Sequence, residues 1–117
     1  MALPELKQLG EQVWTCPQVQ AEDFSEIAQR GFRTVINNRP DHEEPNQPLS
    51  DVLSDAAAKL GIVYEYLPVV GNQITQQQVD AFARHLQELP KPILAFCRTG
   101  NRCSIMWSLV QQKNTGK

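Results

Sequence analysis

Cys97, Arg98, Thr99, Gly100, Asn101, Arg102, Cys103 and Ser104 form one unbroken stretch, and its residue types are those of thiolate chemistry. The apolar run 92–96, Pro-Ile-Leu-Ala-Phe, feeds into it, and a helix-like pattern of Ile105, Met106, Leu109 and Val110 leaves it. A cysteine at the end of a buried strand, on a glycine-containing turn that opens a helix, meets unpaired backbone N–H groups and the positive end of a helix dipole. Arg98 and Arg102 add positive charge. All of this lowers a thiol pKa and prepares a nest for an anion. Cys97 is therefore the candidate nucleophile, and Arg102 the candidate binder of an anion or a charged transition state. Arg98, Thr99, Gly100, Asn101, Cys103 and Ser104 complete the loop. Ser104 is placed either to hydrogen-bond the thiolate or to cap the helix. Cys103 is placed either as a small buried residue or as a partner that resolves an oxidised Cys97.

The elements that must carry this loop follow from the hydrophobic pattern. Residues 11–16 read as a strand stopped by Pro17. A helix opens at Glu22 or Asp23, shows Phe24, Ile27 and Ala28 on one face, and ends at Gly31. Residues 32–37 are β-rich. A second helix carries Leu49, Val52, Leu53, Ala56, Ala57 and Leu60, and Gly61 closes it. Residues 62–67 form a third strand, and Thr75 caps a helix through Leu89 with Val79, Phe82, Ala83 and Leu86 on one face. The order β-α-β-loop-α-β-loop-α-β-turn-α predicts an α/β fold: three layers, with a mostly parallel central sheet, the Cys97 strand in its middle and helices on both faces. Between the second strand and second helix, residues 37–48 contain three prolines and many polar groups. This long loop lies at the C-terminal end of its strand, where open α/β sheets bind ligands. Asn37, Asn38, Arg39 and Asp41 are its candidate ligand-shaping residues.

Composition narrows the functions. At 117 residues, 1–117 reads as one domain, with 41% hydrophobic and 21% charged residues. A net charge of −2 argues against a nucleic-acid partner. The apolar runs are too short for a membrane-spanning helix, and the N-terminus lacks the pattern of a secretory signal, which predicts a cytoplasmic protein without a membrane partner. Three cysteines (Cys16, Cys97 and Cys103) do not make a disulfide framework, and two isolated histidines give no metal-ligand spacing. No metal or cofactor is expected. The polar ending from Gln111 to Lys117 is abrupt, as in a chain cut from a longer one.

The loop and three further stretches carry a family resemblance: residues 31–41 (Gly-Phe-Arg-Thr-Val-Ile-Asn-Asn-Arg-Pro-Asp), 64–69 (Tyr-Glu-Tyr-Leu-Pro-Val) and 73–75 (Gln-Ile-Thr). The chain resembles the phosphatase-like domain of the beta-lactamase hydrolase-like proteins, a relative of the protein tyrosine and dual-specificity phosphatases. The resemblance implies a phosphatase-type fold, a cysteine nucleophile and a fused or associated metallo-beta-lactamase-like partner. Two departures matter. The phosphatase signature, Cys-x5-Arg, would put arginine at residue 103, where Cys103 stands. Cys-Arg-x-Gly-x-Arg instead resembles the six-residue loop of rhodanese sulfurtransferases. Dual-specificity phosphatases also carry a general-acid aspartate in the loop corresponding to 68–73, which here has no carboxylate. Asp41 could replace it if the long loop folds over the site.

The expected reaction on these grounds is sulfur transfer. Cys97 takes a sulfane sulfur from a small anionic donor and passes it to a thiol acceptor. Phosphate-ester hydrolysis through a Cys97 phosphocysteine, with Asp41 as acid, is the alternative. An inactive anion- or protein-binding domain is the third reading.

Overall fold

Strands β2 (Val13–Cys16), β3 (Thr34–Asn37), β4 (Val63–Tyr66) and β5 (Ile93–Phe96) run parallel in a computed structural model that describes residues 3–115. Strand β1 (Lys7–Gly10) pairs antiparallel with β2, and the order across the sheet is β1-β2-β5-β3-β4. The strand that delivers Cys97 is therefore central, as the apolar run predicts. All four residues of β5 are fully buried. Glu11 and Gln12 turn between β1 and β2 rather than opening the first strand, and β1 has no counterpart in the expected order. That strand is a half-exposed edge ribbon of Lys, Gln, Leu and Gly, with no apolar alternation to betray it. Its last residue packs closely on the helix that follows the Cys97 loop, α4 (Asn101–Thr115). A Cβ at Gly10 would fall 2.5 Å from the Trp107 ring.

Helices cover both faces. Side chains alternate along the central strands, so Val35, Leu94 and Phe96 face one way and Ile36, Ile93 and Ala95 the other. The first face packs on α1 (Phe24–Gln29) through Phe24 and Ile27, and on α2 (Ser50–Lys59) through Leu53 and Ala57. The second packs on α3 (Gln76–Glu88) through Val79, Phe82 and Leu86, and on α4 (Asn101–Thr115) through Met106 and Val110. Trp14 meets Phe32 edge-on, with ring centroids 5.7 Å apart. Thr75 caps α3, and Gln78 completes a capping box.

The apolar stripe of α2 is narrower than its sequence suggests. Leu53 and Ala57 are buried, while Leu49, Val52 and Leu60 are exposed. The helix covers an edge of the sheet beside the half-exposed β4, so only Leu53 and Ala57, with Ala56 partly buried beside them, pack on the core. The polar ending falls partly on residues 116 and 117, outside the described residues. Among the described residues no helix is long and apolar enough to cross a membrane.

Candidate active site

Parallel pairing brings the C-terminal ends of four strands to one edge. Cys16 and Asn37 both pair with Phe96, and Tyr66 pairs with Asn37. Cys97 and the loop that follows stand in the middle of that edge. Gly100 takes φ +91°, a left-handed conformation that glycine adopts without strain, and this turn starts α4 at Asn101. Thr99 Oγ1 accepts from the Asn101 N–H at 3.2 Å and ties the turn to the helix.

The nest forms around the sulfur itself. The Gly100 N–H donates to Cys97 Sγ at 3.0 Å. The Cys103 thiol, followed by the backbone N–H groups of Cys103, Thr99 and Arg102, holds the Cys97 pKa down to about 5 against the opposing effect of burial. Cys103 Sγ also lies 3.3 Å from Asn38 Oδ1. Its one proton can serve the amide oxygen or the thiolate. Cys103 itself is pushed up by burial and by the neighbouring Cys97, and burial pushes Cys16 up to about 12. Of three buried thiols, only Cys97 is a thiolate at neutral pH.

Asn37, Asn38 and Arg39 are buried and build the site from behind. The Asn38 N–H donates to Phe96 O and its amide to Leu67 O, both at 2.9 Å, locking the loop ends of β3, β4 and β5 together. Asn37 Oδ1 accepts the Arg39 N–H at 2.8 Å, while its amide reaches the Tyr64 hydroxyl. Ser104 does neither of the two things expected of it. Its hydroxyl donates back to Gly100 O at 3.2 Å.

Asp41 is engaged elsewhere. Its Oδ1 accepts the Ser50 N–H at 2.9 Å, capping α2 from outside the helix, and its own N–H donates to the Tyr66 hydroxyl. The carboxylate expected as an acid over the loop instead satisfies an orphan donor of the first turn of α2 in this structure. Asp41→Ala is expected to lower stability by about 1 kcal/mol, measured by denaturant unfolding.

The carboxylates that do face the loop are Glu43 and Glu44, which nothing in the loop's composition singles out. Arg102 grips Glu43 with both terminal nitrogens, Nη1 to Oε2 at 2.7 Å and Nη2 to Oε1 at 2.9 Å, and Nη1 also donates to Val69 O at 2.9 Å. Arg39, with a side chain 3% exposed, donates to Glu43 at 2.9 Å, to Glu44 at 2.8 Å and to Gln18 at 2.9 Å. Arg98 is exposed and 3.6 Å from Glu44. The hydrogen bond from Arg102 is the main cause that holds Glu43 below the usual carboxylate range. Among the described residues no cluster of His, Cys, Asp and Glu gathers that could hold a metal ion.

A thiolate nested between a central parallel strand and the helix after it, with an arginine fixed beside it, is the arrangement of the phosphatase-like α/β folds. The family model for the phosphatase-like domain of beta-lactamase hydrolase-like proteins matches residues 5–114, and the chain belongs to that family. A beta-lactamase hydrolase-like protein of Xylella fastidiosa (strain Temecula1) is 36% identical over 101 residues, which are 86% of this chain and 23% of that protein. The chain thus spans about a quarter of the length of the curated relatives it matches. The crystal structure of a candidate phosphatase from Neisseria meningitidis superposes with a TM-score of 0.86 at 33% identity, covering 92% of this chain and 77% of that one. The core catalytic domain of the PP-IP phosphatase of S. cerevisiae gives 0.74 at 16% identity, over 94% of this chain and 67% of that one, a likeness of fold alone.

Proposed function

We propose that this domain is a cysteine-thiolate hydrolase of small phosphate monoesters, working through a Cys97 phosphocysteine. The observation that carries the reading is the thiolate itself, with its pKa at about 5, at the central strand end of a phosphatase-type fold. Cys97 Sγ attacks phosphorus in line as the bond to the leaving oxygen breaks, and water then releases phosphate from the sulfur. Arg102 and the N–H groups of the loop stabilise the equatorial oxygens. The phosphatase-like family and the likeness to the Neisseria phosphatase structure support phosphate over the sulfur donor that loop length alone suggests.

A specific observation keeps sulfur transfer as the second reading. Cys97 and Arg102 enclose four residues rather than five, and the N–H groups converge on the sulfur, so the ring is tight for a phosphoryl group. In this reaction Cys97 Sγ attacks the sulfane sulfur of a thiosulfate-like donor. The S–S bond breaks, sulfite leaves with the electron pair, and a thiol acceptor then takes sulfur from the persulfide. A fused or associated metallo-beta-lactamase-like partner belongs to the same proposal, supported by the name and extra length of the Xylella relative.

Intact mass after incubation with an activated aryl phosphate, and separately with thiosulfate, separates the two. A transient adduct of about +80 Da with phosphate release is expected from the first. A lasting adduct of about +32 Da from thiosulfate, with no phosphate release from the ester, would overturn the first reading in favour of the second.

A further inference from the structure

We infer that Glu43 is the positioning residue of the anion site: it holds Arg102 by one edge of the guanidinium so that the other edge is presented to the substrate's oxyanion. The inference rests on the proposed reading in one respect, that Arg102 receives that oxyanion. It is argued from donor accounting. A guanidinium has five N–H donors in a fixed plane. Glu43 takes one hydrogen from each terminal nitrogen, the end-on edge, and Val69 O takes the second hydrogen of Nη1. Three donors are used. The two that remain, Nε–H and the outer hydrogen of Nη2, lie side by side along the Nε edge, and among the described residues no acceptor takes either. That pair is a complete fork for two oxygens of a phosphate, sulfate or thiosulfate.

Two further observations agree. Glu43 is itself held: its Oε1 also accepts from Arg39 Nε at 2.9 Å, and Arg39 is pinned by Gln18. The chain Gln18, Arg39, Glu43, Arg102 therefore fixes a long side chain by way of an almost fully buried one, which removes rotamer freedom before any ligand arrives. Second, Gly71 lies against the stem of Arg102. A Cβ there would lie 3.8 Å from Arg102 Cδ and 4.0 Å from Nε, in ordinary contact, and Gly71 has no left-handed φ that would itself demand glycine. A larger side chain at this position would crowd the stem that carries the guanidinium.

Calorimetric titration with inorganic phosphate and with sulfate tests the inference without relying on turnover. The wild type is expected to bind, and Glu43→Gln to bind about tenfold more weakly, because an amide offers one acceptor oxygen where the fork needs two. Glu43→Asp keeps the charge but loses the reach and is expected to be as weak as Glu43→Gln. In a double-mutant cycle, Glu43→Gln added to Arg102→Lys is expected to cost nothing more, which a general loss of structure would not reproduce. Gly71→Val, which crowds the Arg102 stem, is expected to weaken binding as well. Unchanged or tighter binding by Glu43→Gln, full binding by Glu43→Asp, or no anion binding by the wild type would each overturn the inference. Binding that depends on Glu43 in a protein that processes neither an aryl phosphate nor thiosulfate would sustain it and instead dismiss the reaction proposed above.

Discussion

Cys97→Ser is expected to abolish covalent adduct formation with every substrate and to lower turnover by about three orders of magnitude or more. The size of the effect follows from what the nest stabilises. Hydrogen bonds from Cys103, Gly100 and the loop N–H groups are aimed at a sulfur anion, and together they outweigh the penalty of burial. A serine hydroxyl in the same place does not ionise near neutral pH, so the same donors find no anion to hold. The pH dependence has a definite sign. The folded pKa lies below that of an ordinary thiol, so the thiolate persists as pH falls from 8 to 6 and is lost only through about 5. Modification of Cys97 by a small electrophile, read by mass spectrometry, is expected to continue at pH 6, where an ordinary thiol is almost wholly protonated. Cys97 has no exposed surface, so modification is slow in absolute terms and its pH profile is the informative quantity. Cys16 and Cys103 are expected to stay unmodified throughout. A midpoint near 8.5 would show that the nest does not activate the sulfur.

How much of this was legible in the sequence depends on the distance over which each feature is encoded. The central strand and its turn are local: a buried run, a cysteine, a glycine forced into the left-handed region and a helix pattern in one stretch. The Thr75 cap and the face of α3 are equally local. The edge strand β1 was missed because its pairing with β2 leaves half of it in water, and half-exposed residues carry no period. The breadth of α2's stripe was overestimated because a helix over a sheet edge has less to bury against. The acid side of the site was the least legible. Glu43 and Arg102 are 59 residues apart, and their pairing is a tertiary fact. Asp41 and Glu43 are near neighbours in one loop, yet one caps a helix and the other holds an arginine. Loop composition says that carboxylates are present; only the fold says where each one points.

That division of labour leads to the second large effect, a steep dependence on the leaving group. A phosphatase that protonates its leaving oxygen handles alkyl and aryl esters alike, and the proton donor is worth about 10²–10⁴-fold. Here Asp41 is committed to Ser50, and Glu43 is held ionised by two arginines. The loop 68–73 has no carboxylate at all. A group kept below the usual carboxylate range is a poor acid at neutral pH, whatever its position. The domain is therefore expected to cleave aryl phosphates with acidic phenols about 10²–10⁴-fold more efficiently than simple alkyl phosphates. Along a series of aryl phosphates, log kcat/KM should fall steeply as the phenol pKa rises. A flat series would reveal a proton donor and overturn this account of the loop. The same physics explains why the two candidate reactions share one site. Sulfite leaves thiosulfate without needing a proton, as an acidic phenolate leaves phosphorus, and in either case the nest and Arg102 have only to hold the anion while the Cys97 thiolate attacks.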